Sequence, residues 1–328
     1  MTRATSTLFA LLSVLGGCGV GVEDDPALHE PVQVVDGTFR SGALPGVEVA
    51  DPESGEGPRI TALEAPGGIA PQGQRGRTVT GRASAEAYAV AMVLDGAGTG
   101  YWVRPVDAPD PANKGERTFR FEFDVAESAP VGRQILRFVA LDAAGVAGVQ
   151  RPLRVCVTPP VPDNLNACDP TIAPPAFVVE LTWDAVADLD LRVLTPSGRW
   201  ASAERPRTVD PAAPADGEAP PAPAGPDPTV GVFSGDAGAD CRDTGPRRET
   251  LVFQEEPAPG AYLVYARLFD ACGVDDVPFR ATLWTRVSQD DGTWSPSPLQ
   301  TRFGVQSWRD AGPDGVGTYL FSLDLTGR

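Results

Sequence analysis

The stretch FVVELTWDAVADLDLRVLTPSG, residues 177–198, decides the fold. Its apolar residues recur at every second position in two runs, which are Phe177, Val179, Leu181 and Trp183, then Leu189, Leu191 and Val193. That period of two is typical of half-buried β-strands, and Thr-Pro-Ser-Gly at 195–198 is a turn sequence. The stretch therefore predicts two strands, with the carboxylates of Asp188 and Asp190 together on the face opposite the core.

Turn-forming residues are abundant along the whole chain, with 36 Gly and 34 Pro among 328 residues. This composition favours many short strands joined by turns. About seven alternating segments fall between residues 58 and 157, the number found in an immunoglobulin-like sandwich. We therefore predict an all-β protein of two antiparallel β-sandwich domains, immunoglobulin-like at 58–157 and jelly-roll-like at 176–328. A Pro-rich connector, 158–175, joins them, and residues 203–228 predict a long loop in the second domain.

The N-terminus has the pattern of an export signal. Arg3 precedes a short apolar run at 8–15, which is too short to span a bilayer. The sequence Leu-Gly-Gly-Cys at 15–18 resembles the lipobox of bacterial lipoproteins. The resemblance implies removal of a signal peptide, residues 1–17, and lipidation of Cys18. Cleavage by the ordinary signal peptidase, with Cys18 incidental, is the alternative.

The residues after Cys18 predict the membrane in which the protein is anchored and the flexible segment that follows the anchor. Gly19 stands where an aspartate would retain a lipoprotein at the inner membrane, so the resemblance implies an outer-membrane lipoprotein of the cell envelope, on its periplasmic or surface face. Residues 18–57 are weakly apolar and rich in Pro and acidic residues, which predicts a flexible tether behind the lipidated cysteine. His29, the one histidine of the chain, falls in this segment.

The other four cysteines indicate an oxidising compartment. Four cysteines allow three pairings. Our hypothesis pairs Cys156 with Cys168 across the connector, and Cys241 with Cys272 within the second domain. The chain has no Cys-x-x-Cys sequence, which argues against zinc ribbons and thioredoxin-like redox chemistry.

Several blocks of the second domain resemble a known but uncharacterised sandwich. These are Leu-Thr-Trp-Asp at 181–184, Asp-Leu-Asp-Leu at 188–191, Pro-Gly-Ala-Tyr at 259–262 and Phe-Asp-Ala-Cys-Gly at 269–273. They resemble β-sandwich domains of bacterial secreted proteins and envelope lipoproteins, similar in pattern to pre-peptidase C-terminal domains. Residues 129–145 similarly resemble the closing hairpin of bacterial immunoglobulin-like repeats. The resemblance implies a fold and an extracellular address, and no particular activity.

The acidic residues of the second domain predict a calcium site. Calcium takes six to eight oxygen ligands, mostly carboxylates and carbonyls, from turn-rich scaffolds. Related sandwich domains bind calcium through aspartates in similar positions, so the resemblance points the same way. The candidate ligands are four aspartates, Asp188, Asp190, Asp236 and Asp240. The alternative is that these aspartates cap turns and pair with Arg247 or Arg248.

Enzymatic function is disfavoured. A lone histidine leaves no Ser-His-Asp or Cys-His arrangement and no histidine-ligated zinc, and no phosphate-binding Gly-rich loop occurs. A carboxylate pair such as Asp184 and Glu249 is a formal glycosidase candidate that no spacing supports. The net charge of −17 argues against nucleic-acid binding.

We therefore predict a lipid-anchored, non-enzymatic envelope protein with a binding or structural role and calcium as its expected cofactor. Its expected partners are the membrane, through the anchor, and an envelope protein or glycan. Three tryptophans in or near loops could stack on such a partner, although packing at a sandwich edge is the alternative for each: Trp200, Trp294 and Trp308. The alternative function is a secreted carbohydrate-binding or carbohydrate-active protein.

Overall fold

The computed structural model describes residues 26–48, 57–65, 67–110, 112–113, 115–209, 227–242 and 246–325. The predicted signal peptide, Cys18 and most of the predicted loop 203–228 lie outside these ranges. The described part contains nineteen β-strands, three short 3-10 helices and no α-helix. The predicted all-β sandwich fold is therefore confirmed.

The N-terminal sandwich consists of two sheets. Its strands are β1 (Val32–Val34), β2 (Thr38–Ser41), β3 (Ile60–Glu64), β4 (Ile69–Pro71), β5 (Arg77–Ser84), β6 (Ala89–Leu94), β7 (Gly100–Pro105), β8 (Glu116–Val125), β9 (Gly132–Leu141) and β10 (Arg151–Thr158). The sheet orders are β1-β8-β5-β3 and β2-β7-β6-β9-β10-β4. All pairs are antiparallel except β10 with β4. Phe121 and Phe138 meet edge to face at 5.7 Å in the core between the sheets.

The predicted tether is wrong for residues 26–48, because this segment forms part of the N-terminal sandwich. β1 pairs with β8 and β2 pairs with β7. Val32 and Val34 are buried in the core, and the Trp102 indole donates a hydrogen bond to the Val32 carbonyl at 2.7 Å. The Glu30 carboxylate, also buried, accepts hydrogen bonds of 2.7 Å from the backbone and hydroxyl of Thr99. Such specific partners offset the ordering entropy that composition alone leaves uncompensated.

The C-terminal sandwich also consists of two sheets around its own core. Its strands are β11 (Phe177–Trp183), β12 (Asp188–Leu194), β13 (Trp200–Ala201), β14 (Val232–Ser234), β15 (Arg248–Phe253), β16 (Gly260–Asp270), β17 (Asp276–Ser288), β18 (Trp294–Ser307) and β19 (Thr318–Leu325). The sheet orders are β14-β15-β11-β17-β18 and β13-β12-β16-β19. The opening stretch thus supplies one central strand to each sheet, β11 to the first and β12 to the second.

The long strand β18 was not predicted. It contains Pro296 and Pro298, and proline within an alternating run argues against a strand. β18 lies at the edge of its sheet and pairs only with β17. An edge strand tolerates proline because half of its backbone N–H groups have no ladder partner to lose.

Both predicted disulfides are confirmed. Cys156 pairs with Cys168 across a separation of 12 residues, and Cys241 pairs with Cys272 across 31. The first joins the end of β10 to the connector, and the second joins the loop after β14 to the turn after β16. Among the described residues, no helix is long and apolar enough to cross a membrane.

Candidate cation site at the edge of the C-terminal sandwich

The candidate site lies at the open edge of β12. Strand β13 is only two residues long and pairs with Val193 and Leu194. The first half of β12, which carries Asp188 and Asp190, therefore has no strand partner on that side. Instead, the loop after β14 and a side chain of β15 approach it from the other sheet. The alternation of apolar and acidic residues in β12 keeps the leucines in the core and places both carboxylates on the opposite face.

Three of the four predicted ligands come together. Each of Asp188, Asp190 and Asp236 offers a carboxylate oxygen, and these three oxygens lie within 4.8 Å of one another. Asp188 and Asp190 are buried, and Asp236 is exposed. Asp240 is not part of the group, because its side chain is 81% exposed and lies 3.9 Å from the guanidinium of Arg242. The group is therefore closed on the protein side and open to solvent at Asp236.

Backbone contact and a disulfide position the loop that carries Asp236. At Gly238 the backbone has φ of +87° and approaches Ala187 so closely that a Cβ would overlap the Ala187 carbonyl oxygen. Asp240 and Cys241 adopt left-handed backbone conformations, with φ of 56° and 58°, which non-glycine residues rarely occupy. The disulfide from Cys241 to Cys272 secures this loop to the end of β16.

Glu249 is a buried acid on which the charges of all three aspartates act, although it is not one of the three residues whose oxygens lie within 4.8 Å and was not among the predicted ligands. It lies on β15 and is fully buried. Its Oε2 accepts a hydrogen bond of 2.7 Å from the backbone N–H of Leu191, on the open edge of β12. Its Oε1 is buried and has no hydrogen-bond partner. A signal was available, because Glu249 shares the inward register of Leu251 and Phe253, where an acidic residue is anomalous.

The carboxyl groups of the site have raised pKa values. Burial raises the pKa of Glu249 well above its usual value, and the charges of Asp190, Asp236 and Asp188 raise it further. Burial, followed by the charges of Asp190 and Asp236, raises the pKa of Asp188 to about 6. Burial is the largest cause of each shift and repulsion between the carboxylates is a smaller one, and a cation among them would oppose both.

One arginine supplies part of the compensating charge. Arg267, opposite Asp190 in the register of β12 and β16, donates to its Oδ2 through Nε at 2.8 Å and also through Nη2. Burial raises the pKa of Asp190, against the opposing effect of Arg267. The alternative partners from the sequence make other contacts: Arg248 pairs with Glu180 at 3.2 Å, and Arg247 donates to the Asp184 carbonyl at 2.8 Å.

The other candidate residues are less suited to binding a metal, to catalysis or to contacting a ligand. The sulfur atoms near Asp270 belong to Cys241 and Cys272, whose disulfide leaves no thiolate to bind a metal. Of the formal glycosidase pair, Asp184 is exposed in a turn, and Glu249 points into the sandwich interior. Trp294 is half-buried beneath Arg286, and Trp308, 51% exposed, lies beneath Arg309.

Comparison with known proteins identifies no family. No family model matches the chain, and no curated protein matches it. A solved structure of dimeric latent PorU from Porphyromonas gingivalis is matched at 9% identity and a TM-score of 0.20, over 82% of this chain and 30% of that chain. The chain thus spans less than a third of PorU, and a match at this level carries no functional information.

Proposed function

We propose that this chain is an exported, non-catalytic envelope protein whose C-terminal sandwich holds a calcium ion. The observations that carry the proposal are the three aspartate oxygens within 4.8 Å of one another and the fully buried Glu249, whose Oε1 has no partner and on which the charges of all three aspartates act. Burying a carboxylate that has no partner raises the free energy of the folded state. A cation ligated by this oxygen and the three aspartates removes that cost, so the site is stable when loaded.

The donor set selects the ion. All four side chains offer hard oxygen ligands, which suit calcium, magnesium and manganese and do not suit zinc or copper. Magnesium requires near-ideal octahedral geometry and holds its waters tightly, whereas calcium accepts irregular sets of six to eight oxygens. Two buried carboxylates, one exposed carboxylate and one carboxylate from the opposite sheet make an irregular set that favours calcium. Water completes the shell on the open side, at Asp236.

The ion has a structural role in this proposal. It joins the first half of β12, which the short strand β13 leaves unpaired on one side, to β15 and to the loop after β14 in the opposite sheet. The proposed role is structural and not catalytic, since the one histidine of the chain, His29, lies in the segment that opens the N-terminal sandwich. The protein presents its sandwiches for binding or structural support.

The proposed cellular location rests on the amino-acid sequence. The export signal at 1–17 and the lipobox-like sequence ending at Cys18 support an outer-membrane lipoprotein, and the two disulfides fit an extracytoplasmic compartment. Fractionation of a Cys18→Ser variant tests the anchor. The variant should leave the membrane fraction, and an unchanged membrane-bound share would refute lipidation.

Calorimetric titration of the protein lacking residues 1–18 tests the cation site. We expect one calcium per chain at neutral pH, and at least about tenfold weaker binding after Asp236→Asn, because this change removes a charged ligand. Asp290→Asn, which alters an exposed aspartate in the turn between β17 and β18, is the matched control and should bind as the parent does. Equal affinities for parent and Asp236→Asn would contradict the assignment.

A further inference from the structure

A strip of aromatic side chains crosses the outer face of the sheet that contains β12. It consists of Trp200 on β13, Tyr265 on β16 and Tyr319 on β19. Ring centroids are 5.2 Å apart between Trp200 and Tyr265, and 5.6 Å apart between Tyr265 and Tyr319. Tyr265 and Tyr319 face each other directly in the strand register. Tyr319 is 53% exposed, and the other two rings are half-buried, so the strip presents a continuous aromatic surface to solvent.

The polar groups of these rings are unused within the described residues. Neither the indole N–H of Trp200 nor the hydroxyls of Tyr265 and Tyr319 have a hydrogen-bond partner there. Four of the eight other tryptophan and tyrosine side chains in the same part of the chain are paired. The indoles of Trp102, Trp183 and Trp284 and the hydroxyl of Tyr262 each donate a hydrogen bond, to Val32, Ala187, Glu180 and Ala258. Aromatic faces combined with free donors match a ligand that has both apolar and hydroxyl surfaces.

Positive charge accompanies the strip, although the chain as a whole carries −17. The Arg192 guanidinium lies 4.8 Å from the centroid of the Trp200 ring. Arg205 is exposed and close enough for its charge to act on Arg192. Within the described residues, neither arginine has a carboxylate within ion-pair distance. Arg192 also donates a hydrogen bond of 2.6 Å to a backbone carbonyl, and the charges of Asp190 and Glu204 act on it as well. The exposed Arg205 is therefore the charge most available to an anionic ligand.

We propose that this strip binds an acidic glycan, with sugar rings against Trp200, Tyr265 and Tyr319 and sugar carboxylates at Arg192 and Arg205. A polysaccharide supplies what these residues lack: flat apolar ring faces, hydroxyls for the unpaired donors and negative charge for the arginines. The inference specifies a ligand for the proposed binding role. It uses none of the proposed calcium ligands, so either proposal can fail without the other.

Binding to immobilised oligogalacturonate, with maltooligosaccharide as the neutral comparison, tests the proposal. We expect retention on the acidic oligosaccharide that weakens as salt is raised. Tyr319→Ala and Arg205→Gln should each weaken it by about two- to tenfold, the effect of losing one aromatic or one exposed charged contact. Tyr88→Ala and Arg309→Gln are matched controls that lie outside the strip, and Tyr88 is exposed to a similar degree, at 59%. Both should leave retention unchanged.

Three results would overturn the acidic-glycan assignment. One is no retention on the acidic oligosaccharide, another is equal retention on the neutral one, and the third is equal weakening by the control variants. Asp236→Asn serves to separate the two proposals, since it should weaken calcium binding and leave glycan retention intact. Circular dichroism melts of each variant identify any loss of retention that is caused by unfolding.

Discussion

Glu249→Gln should stabilise the calcium-free protein and abolish its stabilisation by calcium. Glutamine keeps an oxygen that can accept the hydrogen bond from the Leu191 N–H, and it removes a buried acid on which the charges of three aspartates act. We expect a gain of about 1 kcal/mol in the free energy of unfolding in chelator. In saturating calcium the variant should lose the added stability of about 3 kcal/mol that a well-bound ligand gives. Denaturant unfolding with calcium and with chelator measures both.

Glu180→Gln provides the matched control. Glu180 is also a buried glutamate on a strand of the same sheet. It is paired with Arg248 at 3.2 Å and with the Trp284 indole at 3.0 Å. Its replacement should destabilise the protein by about 2 kcal/mol, equally with and without calcium. If Glu249→Gln behaves in the same way, Glu249 is a structural residue and not a calcium ligand.

Removal of the Cys241–Cys272 disulfide should weaken both the fold and the cation site. Replacing both cysteines with alanine releases a cross-link across 31 residues, which costs about 3 to 4 kcal/mol in the chain-entropy account. It also frees the loop that holds Asp236, whose left-handed residues Asp240 and Cys241 are unfavourable without restraint. Calcium affinity should fall by about tenfold or more, because the loop must then be ordered on binding. Calorimetric titration and denaturant unfolding provide the two readouts.

The other disulfide separates these two effects. Replacing Cys156 and Cys168 with alanine removes a cross-link across 12 residues, at a similar cost of about 3 kcal/mol. This bridge lies at the connector and not at the cation site, so calcium affinity should be unchanged. Equal losses of affinity in the two double variants would show that destabilisation alone, and not the position of the Asp236 loop, controls binding.

The strands that could be predicted from the sequence are those whose burial alternates. Val179 and Leu181 predicted β11, and Leu189 and Leu191 predicted β12, because a period of two indicates one buried face. β18 was missed because its edge position permits prolines that a central strand excludes. Residues 26–48 were misassigned because their stability comes from distant partners such as Trp102 and Thr99, which composition does not register.

The candidate site was predictable only in part, for a similar reason. Spacing by two within β12 placed Asp188 and Asp190 on one face, and the nearby acidic loop suggested Asp236. Asp240 was included on the same loop pattern, but the left-handed turn directs it to Arg242 and solvent. Glu249 comes from the opposite sheet, and its approach to Leu191 depends on how the two sheets pack. No local pattern encodes that contact.

The melting temperature of the protein lacking residues 1–18, with calcium and with chelator at pH 7.5 and pH 5, tests the central claim most directly. The pKa of Asp188 is raised to about 6, and the pKa values of Asp190 and Glu249 are also raised. All three shifts change the stability of the calcium-free protein with pH in the same direction. Their protonation stabilises the calcium-free fold fully below the unfolded-state pKa, and this stabilisation is lost as pH rises through the folded-state pKa. Arg267 opposes the effect at Asp190, and Asp236 and Asp270 reinforce it at Asp188.

In chelator, therefore, the melting temperature should be higher at pH 5 than at pH 7.5. Calcium should raise it by about 6–12 °C at pH 7.5 and by little at pH 5, where protons compete for the same carboxylates. Equal melting temperatures with calcium and chelator at pH 7.5 would contradict the account.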